Sequence, residues 1–496
     1  MGTMAMAIPE LEEHDGDHEE IELDIGDPKV HFYPPLHLQR RIWILDILRR
    51  ENIVELLDVG CGEGQLLSVL AQPAPWLLPP PETTIPSGEA YTYKVDNANL
   101  HMQRVVGIDI SETDLAFAVK DTQPQSEDAS DGFGLPVTRF EKLSIKLFKG
   151  GLQTFNEEFV GIDCIVCTEV IEHLPPEILP TLAPMLLGMY NPRRLLITTP
   201  SYTFNARFTR PSAPRSQRER QGYPDPTGRT DRIFRHSDHK FEWTVEEFQA
   251  WCRETAESWD YELEEMAGVG RPLEDDPWGR DQELGDASLV VSFIRKDHVS
   301  QEHRVEKARS VLAALSVTGD AHELLAEHQH IAHSSSGRPA PALAIADKVK
   351  AKMEELREAI IPLEQIWFDP AVSTLCGGYI EALIWAVEES ELLNVLRAPK
   401  EWSIELVGGV TQLPDSLWAE DDPDSSLDLI PDGWIPGQDP DEVYEEEDDD
   451  TSSLSTTGAD GNVSWSGSQF EEEGHETVWA KDAWDERNAG WGEEAC

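Results

Sequence analysis

Four short runs constrain this chain most: ELLDVG from Glu55, RVVGIDI from Arg104, IDCIVC from Ile162 and RLLITTP from Arg194. Each is continuously apolar rather than alternating, the pattern of a strand covered on both faces, as in a parallel sheet between helical layers. The stretches between them carry apolar residues at helical spacing: RIWILDILRR from Arg41 before the first run, QLLSVLA after it, a helix from about Glu112, and ILPTLAPMLLGMY before the fourth. A further strand is predicted near Leu143 to Leu147. FEWTVEEFQAWC reads as a helix with Thr244 as N-cap and Glu247 completing a capping box, and ASLVVSFIRK as a last strand. Strand and helix in alternation give a doubly wound, mostly parallel α/β domain over residues 29–299.

The rest of the 496 residues divides by composition. Residues 1–28 are acidic and poor in large apolar side chains, so a disordered lead-in is expected. WLLPPPETTIPSG falls between two predicted elements and reads as a surface insertion, within a span from about Gln72 to Arg104. After HSSSGRPAPA, Val349, Met353, Leu356, Ile360 and Leu363 recur at helical steps, as do Ile380, Leu383, Ile384 and Val387. A helical region over 300–400 follows from that. The formal net charge is -55, with no Lys or Arg between Lys400 and Lys481, so 401–496 reads as an acidic disordered tail. The N-terminus has neither a basic nor an apolar segment of a secretory signal, no apolar run reaches membrane-spanning length, and the six cysteines are scattered. These features predict a reduced cytoplasmic or nuclear setting without a membrane. Cys164 and Cys167, three apart in a strand, point to opposite faces and make a poor redox or zinc pair.

Two constellations carry chemistry. DVGCGEG, Asp58 to Gly64, follows a strand and opens a helix, and its glycines allow a tight turn and close approach of a ligand. The spacing is GxGxG, not GxGxxG. Asp109 ends the next strand, where a carboxylate can accept ribose hydroxyls, and Glu63 within the turn suits an adenosyl or methionine amine better than a pyrophosphate. The pair resembles the class I S-adenosyl-L-methionine-dependent methyltransferases. In CTEVIEHL, Glu169, Glu172 and His173 stand at i, i+3 and i+4, which on a helix is one face. Two carboxylates and an imidazole suit Mg2+ or Mn2+, although an acidic first turn also stabilises a helix dipole unaided. FRHSDHKFEWT, Phe234 to Thr244, offers His236 or His239 as a fourth ligand near the carboxyl ends of the strands.

In combination, FYPPLHLQR, LLDVGCGEG, VGIDIS, CTEVIEHL, TTPSYTFN and HSDHKFEWT resemble the small RNA 3'-terminal 2'-O-methyltransferases of the Hua enhancer family, across roughly residues 30–299. The last two motifs discriminate, since generic methyltransferases share the others. The resemblance implies cofactor contacts at Asp58, Gly60, Gly62, Asp109 and Ser111. It implies a catalytic metal held by Glu169, Glu172, His173 and His239, with His236 as competitor for the last place. It also implies transfer of methyl to the 2'-hydroxyl of a small RNA 3' end, and an Argonaute-type protein as a partner. The insertion and the region after 300 have no counterpart in the family, and no double-stranded-RNA-binding module is visible, which favours a single-stranded end. Eight arginines from Arg207 to Arg235 provide a basic surface for phosphates, and Tyr202 and Phe204 offer faces for a terminal base. Two other classes fit parts of the pattern: an O-methyltransferase of small molecules, and an RNA-binding scaffold without catalysis.

Overall fold

The computed structural model describes residues 30–81, 84–85, 93, 99–124, 137–399 and 401–410. The expected disordered lead-in and the tail beyond 410 lie outside the described residues. The four apolar runs are strands β1 (Glu55–Val59), β2 (Arg104–Asp109), β4 (Cys164–Thr168) and β5 (Arg194–Pro200), with β3 (Leu143–Lys149) between β2 and β4 in the chain. All five are parallel and lie in the order β3-β2-β1-β4-β5. The order reverses between β1 and β4, where open α/β sheets bind their ligands.

Their continuous apolar character has the expected cause. Along β4, Ile165 and Cys167 enter one core while Cys164 and Val166 enter the other, so the two cysteines face opposite ways. Helices α1 (Leu36–Arg50), α2 (Gln65–Leu70) and α3 (Glu112–Asp121) pack on one face of the sheet. Beyond β5 come α4 (Arg215–Gln221) and a small hairpin, β6 (Tyr223–Pro224) with β7 (Ile233–Phe234). The helix α5 (Val245–Trp259) then starts with the predicted capping box of Thr244 and Glu247. The segment ILPTLAPMLLGMY is no α-helix. It forms a 3-10 turn at Leu179–Thr181 and a wide π-helix at Pro184–Tyr190, consistent with prolines that remove amide donors there.

The domain boundary read at 299 does not match the packing. Strands β8 (Tyr261–Val269) and β9 (Ser288–Arg295), separated by the short α6 (Asp281–Leu284), extend the sheet antiparallel beyond β5. Helix α7 (Gln301–Leu315) buries Ala308 in the main core, and its Arg304 donates to the carbonyls of Trp259, Val299, Asp260 and Lys296. Strand β10 (Glu323–His330) then pairs antiparallel with β3 as the eighth strand. Residues 300–330 thus belong to the same sheet and core.

The region after 330 is likewise not purely helical. Helix α8 (Ala342–Leu356) stops at Arg357, whose φ is 58°, and Ile360, expected on the same face, opens β11 (Ile360–Pro362). After α9 (Leu363–Trp367), α10 (Pro370–Leu375) and α11 (Ile380–Glu388), β12 (Leu393–Arg397) and β13 (Trp402–Leu406) complete a three-stranded antiparallel sheet. Residues 402–406, read as tail, are therefore a strand. The Pro-rich insertion joins this unit: Trp76 and Tyr93 pack against it with buried Ile85, and Trp367 donates its indole N–H to the Pro75 carbonyl at 2.8 Å. β10 delivers the chain to the amino end of β3, His330 pairing with Leu143, so this unit sits at the sheet edge opposite the switch point. Among the described residues no helix is long and apolar enough to cross a membrane.

Candidate active site

At the end of β1 the chain turns through Gly60, Gly62 and Gly64, with φ of 73°, 51° and 81°. A Cβ on Gly60 would collide with Val170 Cγ2, and one on Gly64 with Ala118, while one on Gly62 would meet open space. The turn is pinned by Asp109: its Oδ2 accepts the Gly62 N–H and its Oδ1 the Ser111 N–H, each at 2.8 Å. Asp109 therefore builds the turn as well as standing at its mouth. Ser111 caps α3, its Oγ accepting the Asp114 N–H. Asp58 is buried at 4% exposure, and among the described residues none donates a hydrogen bond to it. Burial, with Asp109 beside it, pushes its carboxyl up to about 7. An acid so placed suits a ligand bearing positive charge, as S-adenosylmethionine does; Glu63 is exposed to solvent.

On the other side of the switch point, CTEVIEHL does not begin a helix. Glu169 takes the left-handed conformation, φ 53°, and Ile171–His173 forms one 3-10 turn. The expected helical face is absent; the loop turns Glu172 inward and leaves His173 exposed. It is tied down by main-chain bonds: Glu169 N–H to the Thr198 carbonyl at 3.0 Å, and Lys240 N–H to the Glu172 carbonyl at 2.7 Å. The histidine loop is held in turn by Tyr202 N–H to the Trp243 carbonyl at 2.8 Å.

Glu172, His173 and His239 each present a ligand atom within 4.8 Å of one another. Glu172 is fully buried; Oε2 accepts from the Thr199 hydroxyl at 3.0 Å, and Oε1 is buried without a hydrogen-bond partner. An orphaned carboxylate oxygen is expensive unless a cation meets it, so the residues fit a divalent metal. Burial, with Glu169 nearby, holds Glu172 well above the usual carboxylate range. His173, exposed but partly desolvated by its surroundings, is pushed down by that desolvation and by the neighbouring His239 and His236.

The other two candidates fall outside that group. Glu169 Oε2 pairs with the Arg40 guanidinium at 3.1 Å, and its Oε1 accepts from the Thr198 hydroxyl at 2.8 Å. His236 is exposed, its ring centre 5.5 Å from that of His239 and 6.3 Å from that of His173. Sequence reasoning missed two residues. Arg40, which also donates to the Ser288 hydroxyl, stands at the end of FYPPLHLQR and carries no local signal. Glu242 is fully buried and accepts from the His239 ring Nδ1 at 2.6 Å, from the Arg235 N–H at 2.8 Å and from the Asn205 amide. Its offset of three from His239 within DHKFEW was the available clue.

The arginines divide. Arg207 is buried against Asp281, Arg232 is paired with Glu247 and stacked on Tyr202, and Arg235 lies 3.4 Å over the Phe208 ring. Phe204 is 3% exposed and packs near Phe32 and Phe208. It offers no face to a base, and Arg232 covers one face of Tyr202.

The sheet order and the turn at its switch point are those of a Rossmann-like methyltransferase fold, and residues 28–254 match the family model described as a methyltransferase domain. The chain is a homologue of proteins named small RNA 2'-O-methyltransferase. That of Arabidopsis thaliana is 29% identical over 53% of this chain and 23% of its own length. That of Gallus gallus is 27% identical over 54% and 56%, and that of Schizosaccharomyces pombe 28% over 48% and 53%. The chain thus spans from under a quarter to just over half of these relatives. A crystal structure of a small RNA methyltransferase superposes with a TM-score of 0.40 at 24% identity, over 61% of this chain and 29% of that one.

Proposed function

We propose that this protein transfers the methyl group of S-adenosylmethionine to the 2'-hydroxyl of the 3'-terminal nucleotide of a single-stranded small RNA, in a metal-dependent reaction that stabilises the RNA. The observation that carries the reading is the orphaned, buried Oε1 of Glu172 beside His173 and His239, across the switch point from the glycine turn. The names borne by the relatives supply the substrate class.

The residues divide the work. The Gly60 turn and Asp58 would hold the cofactor, across the switch point from the β4 loop. In the transfer the methyl–sulfur bond breaks, its electron pair staying on sulfur to leave a neutral thioether. The ribose oxygen forms the new bond, and its proton passes to water at the open side of the site, where His173 is exposed. Glu172, His173 and His239 would hold Mg2+ or Mn2+, a Lewis acid that lowers the pKa of a ribose hydroxyl. Glu169, which here pairs with Arg40, would complete that set. Glu242 fixes the His239 ring, leaving Nε2 for the site. An Argonaute-type protein presenting the RNA end is part of the proposal.

The test is methyl transfer from labelled S-adenosylmethionine to RNA ending in both hydroxyls, in a 2'-deoxy sugar or in a 3'-deoxy sugar, with Mn2+, Mg2+ or chelator. Transfer confined to the end with both hydroxyls and lost with chelator is the expected result. Cofactor binding without transfer to any RNA would shift the substrate to a small molecule.

A further inference from the structure

The segment between β5 and the histidine loop folds into a flap, α4 followed by the β6–β7 hairpin. The hairpin leads directly into Arg235, His236 and His239, and Arg229 at its tip reaches back to the Lys240 carbonyl at 3.3 Å. Lys240 is itself bonded to Glu172. The flap is therefore built onto the rim of the site.

Its acids are already engaged. Glu219 and Asp231 both pair with Arg215, at 2.7 and 3.7 Å. Asp225 accepts from the backbone and hydroxyl of Thr227 and of Thr230, at 2.6 to 2.9 Å. Arg218, Arg220 and Arg229 are exposed, and among the described residues none of the three pairs with a carboxylate. Three uncompensated guanidiniums stand out on a chain of net charge -55. In the same flap, Tyr223 leaves 48% of its surface in solvent. Cations that track a backbone, with an aromatic face beside them, make a platform for single-stranded nucleic acid.

We infer that the flap is the docking surface for the RNA just upstream of its 3' end. Arg218, Arg220 and Arg229 contact phosphodiesters, and Tyr223 stacks on a base. Tyr223 thereby takes the role that the sequence assigned to the buried Phe204. The inference deepens the proposed function, on which it rests for the nature of the ligand; it concerns binding rather than transfer.

The experiment measures anisotropy of a labelled single-stranded RNA against salt, for the wild-type chain, Arg218→Ala/Arg220→Ala/Arg229→Ala and Tyr223→Ala, without added cofactor. Losing three phosphate contacts should lower the slope of log affinity against log salt by about 2. Removing the stacking face should weaken binding about tenfold with the slope unchanged. Cofactor binding should be equal in all three proteins. Unchanged affinity and slope in the triple variant would overturn the inference. If no protein methylates RNA but the triple variant still loses affinity, the platform stands and the assigned reaction falls.

Discussion

His239 Nδ1 stands 2.6 Å from Glu242 Oε1, and Glu242 is fully buried. Because that carboxylate already accepts from the Arg235 amide and the Asn205 side chain, the ring nitrogen facing it is the donor. The tautomer is thereby set, and Nε2 carries the free lone pair toward Glu172 and His173. Glu242→Gln keeps the volume and removes the charge that fixes the ring. Mn2+ affinity, read by titration calorimetry, should fall about 10- to 100-fold, with S-adenosylmethionine affinity unaltered. Equal Mn2+ affinity in the variant would show that His239 does not depend on Glu242.

The glycine turn makes a comparison within one loop. Gly60 and Gly62 both have positive φ, so an alanine at either is strained by about 1–2 kcal/mol. They differ in room: a Cβ on Gly60 would strike Val170, and one on Gly62 would meet nothing within 4 Å. Val170 lies in the loop between Glu169 and Glu172. Gly60→Ala should therefore disturb both halves of the site and abolish cofactor binding. Gly62→Ala should retain it with reduced affinity. Equal effects in a cofactor titration would mean that backbone strain alone decides.

The parallel strands were legible because burial on both faces demands unbroken apolar runs, as in ELLDV and CIVCT. The edge strand Tyr261–Val269 was not. It carries Glu262, Glu264 and Glu265, and Glu264 is there to pair with Arg194 and Arg50, so its sequence lacks the pattern of a covered strand. The same holds for Glu323–His330, polar along much of its length. At the site, residue types were readable and geometry was not. Nothing in a glutamate's propensity announces the left-handed conformation of Glu169, which a parallel strand and the Arg40 and Thr198 contacts impose from outside. The link between the insertion and the C-terminal unit is a contact across nearly three hundred positions, Trp367 to Pro75, and no local pattern encodes it.

Asp58 gives the domain a pH dependence whose sign follows from its surroundings. Its folded carboxyl is raised to about 7 from the usual value near 3.8, so in that window the folded state holds a proton that the unfolded state has lost. Stability contributed at this position falls as pH rises from about 4 to about 7 and is level above. Asp58→Asn removes the slope: its melting temperature should exceed that of the wild type above pH 7 and match it at the acid end. Binding of a cationic cofactor requires the charged form, so wild-type affinity should climb over the same window while the variant stays weak throughout. Melting curves that run parallel at every pH would place the titration elsewhere.

The C-terminal unit and the insertion stand or fall together, and separately from the chemistry. Trp367 is 1% exposed, bonded to Pro75 and set edge-on to Trp76 at 6.3 Å. Trp367→Ala should cost about 3–5 kcal/mol of that unit's stability. Limited proteolysis should then cut between Gln72 and Leu100 in the variant under conditions that leave that span of the wild type uncut. The unit lies at the amino ends of the strands, with the sheet between it and both the glycine turn and the histidine loop. Cofactor affinity should accordingly survive in the cleaved protein. Its loss in step with cleavage would show that the appended unit supports the site through the sheet.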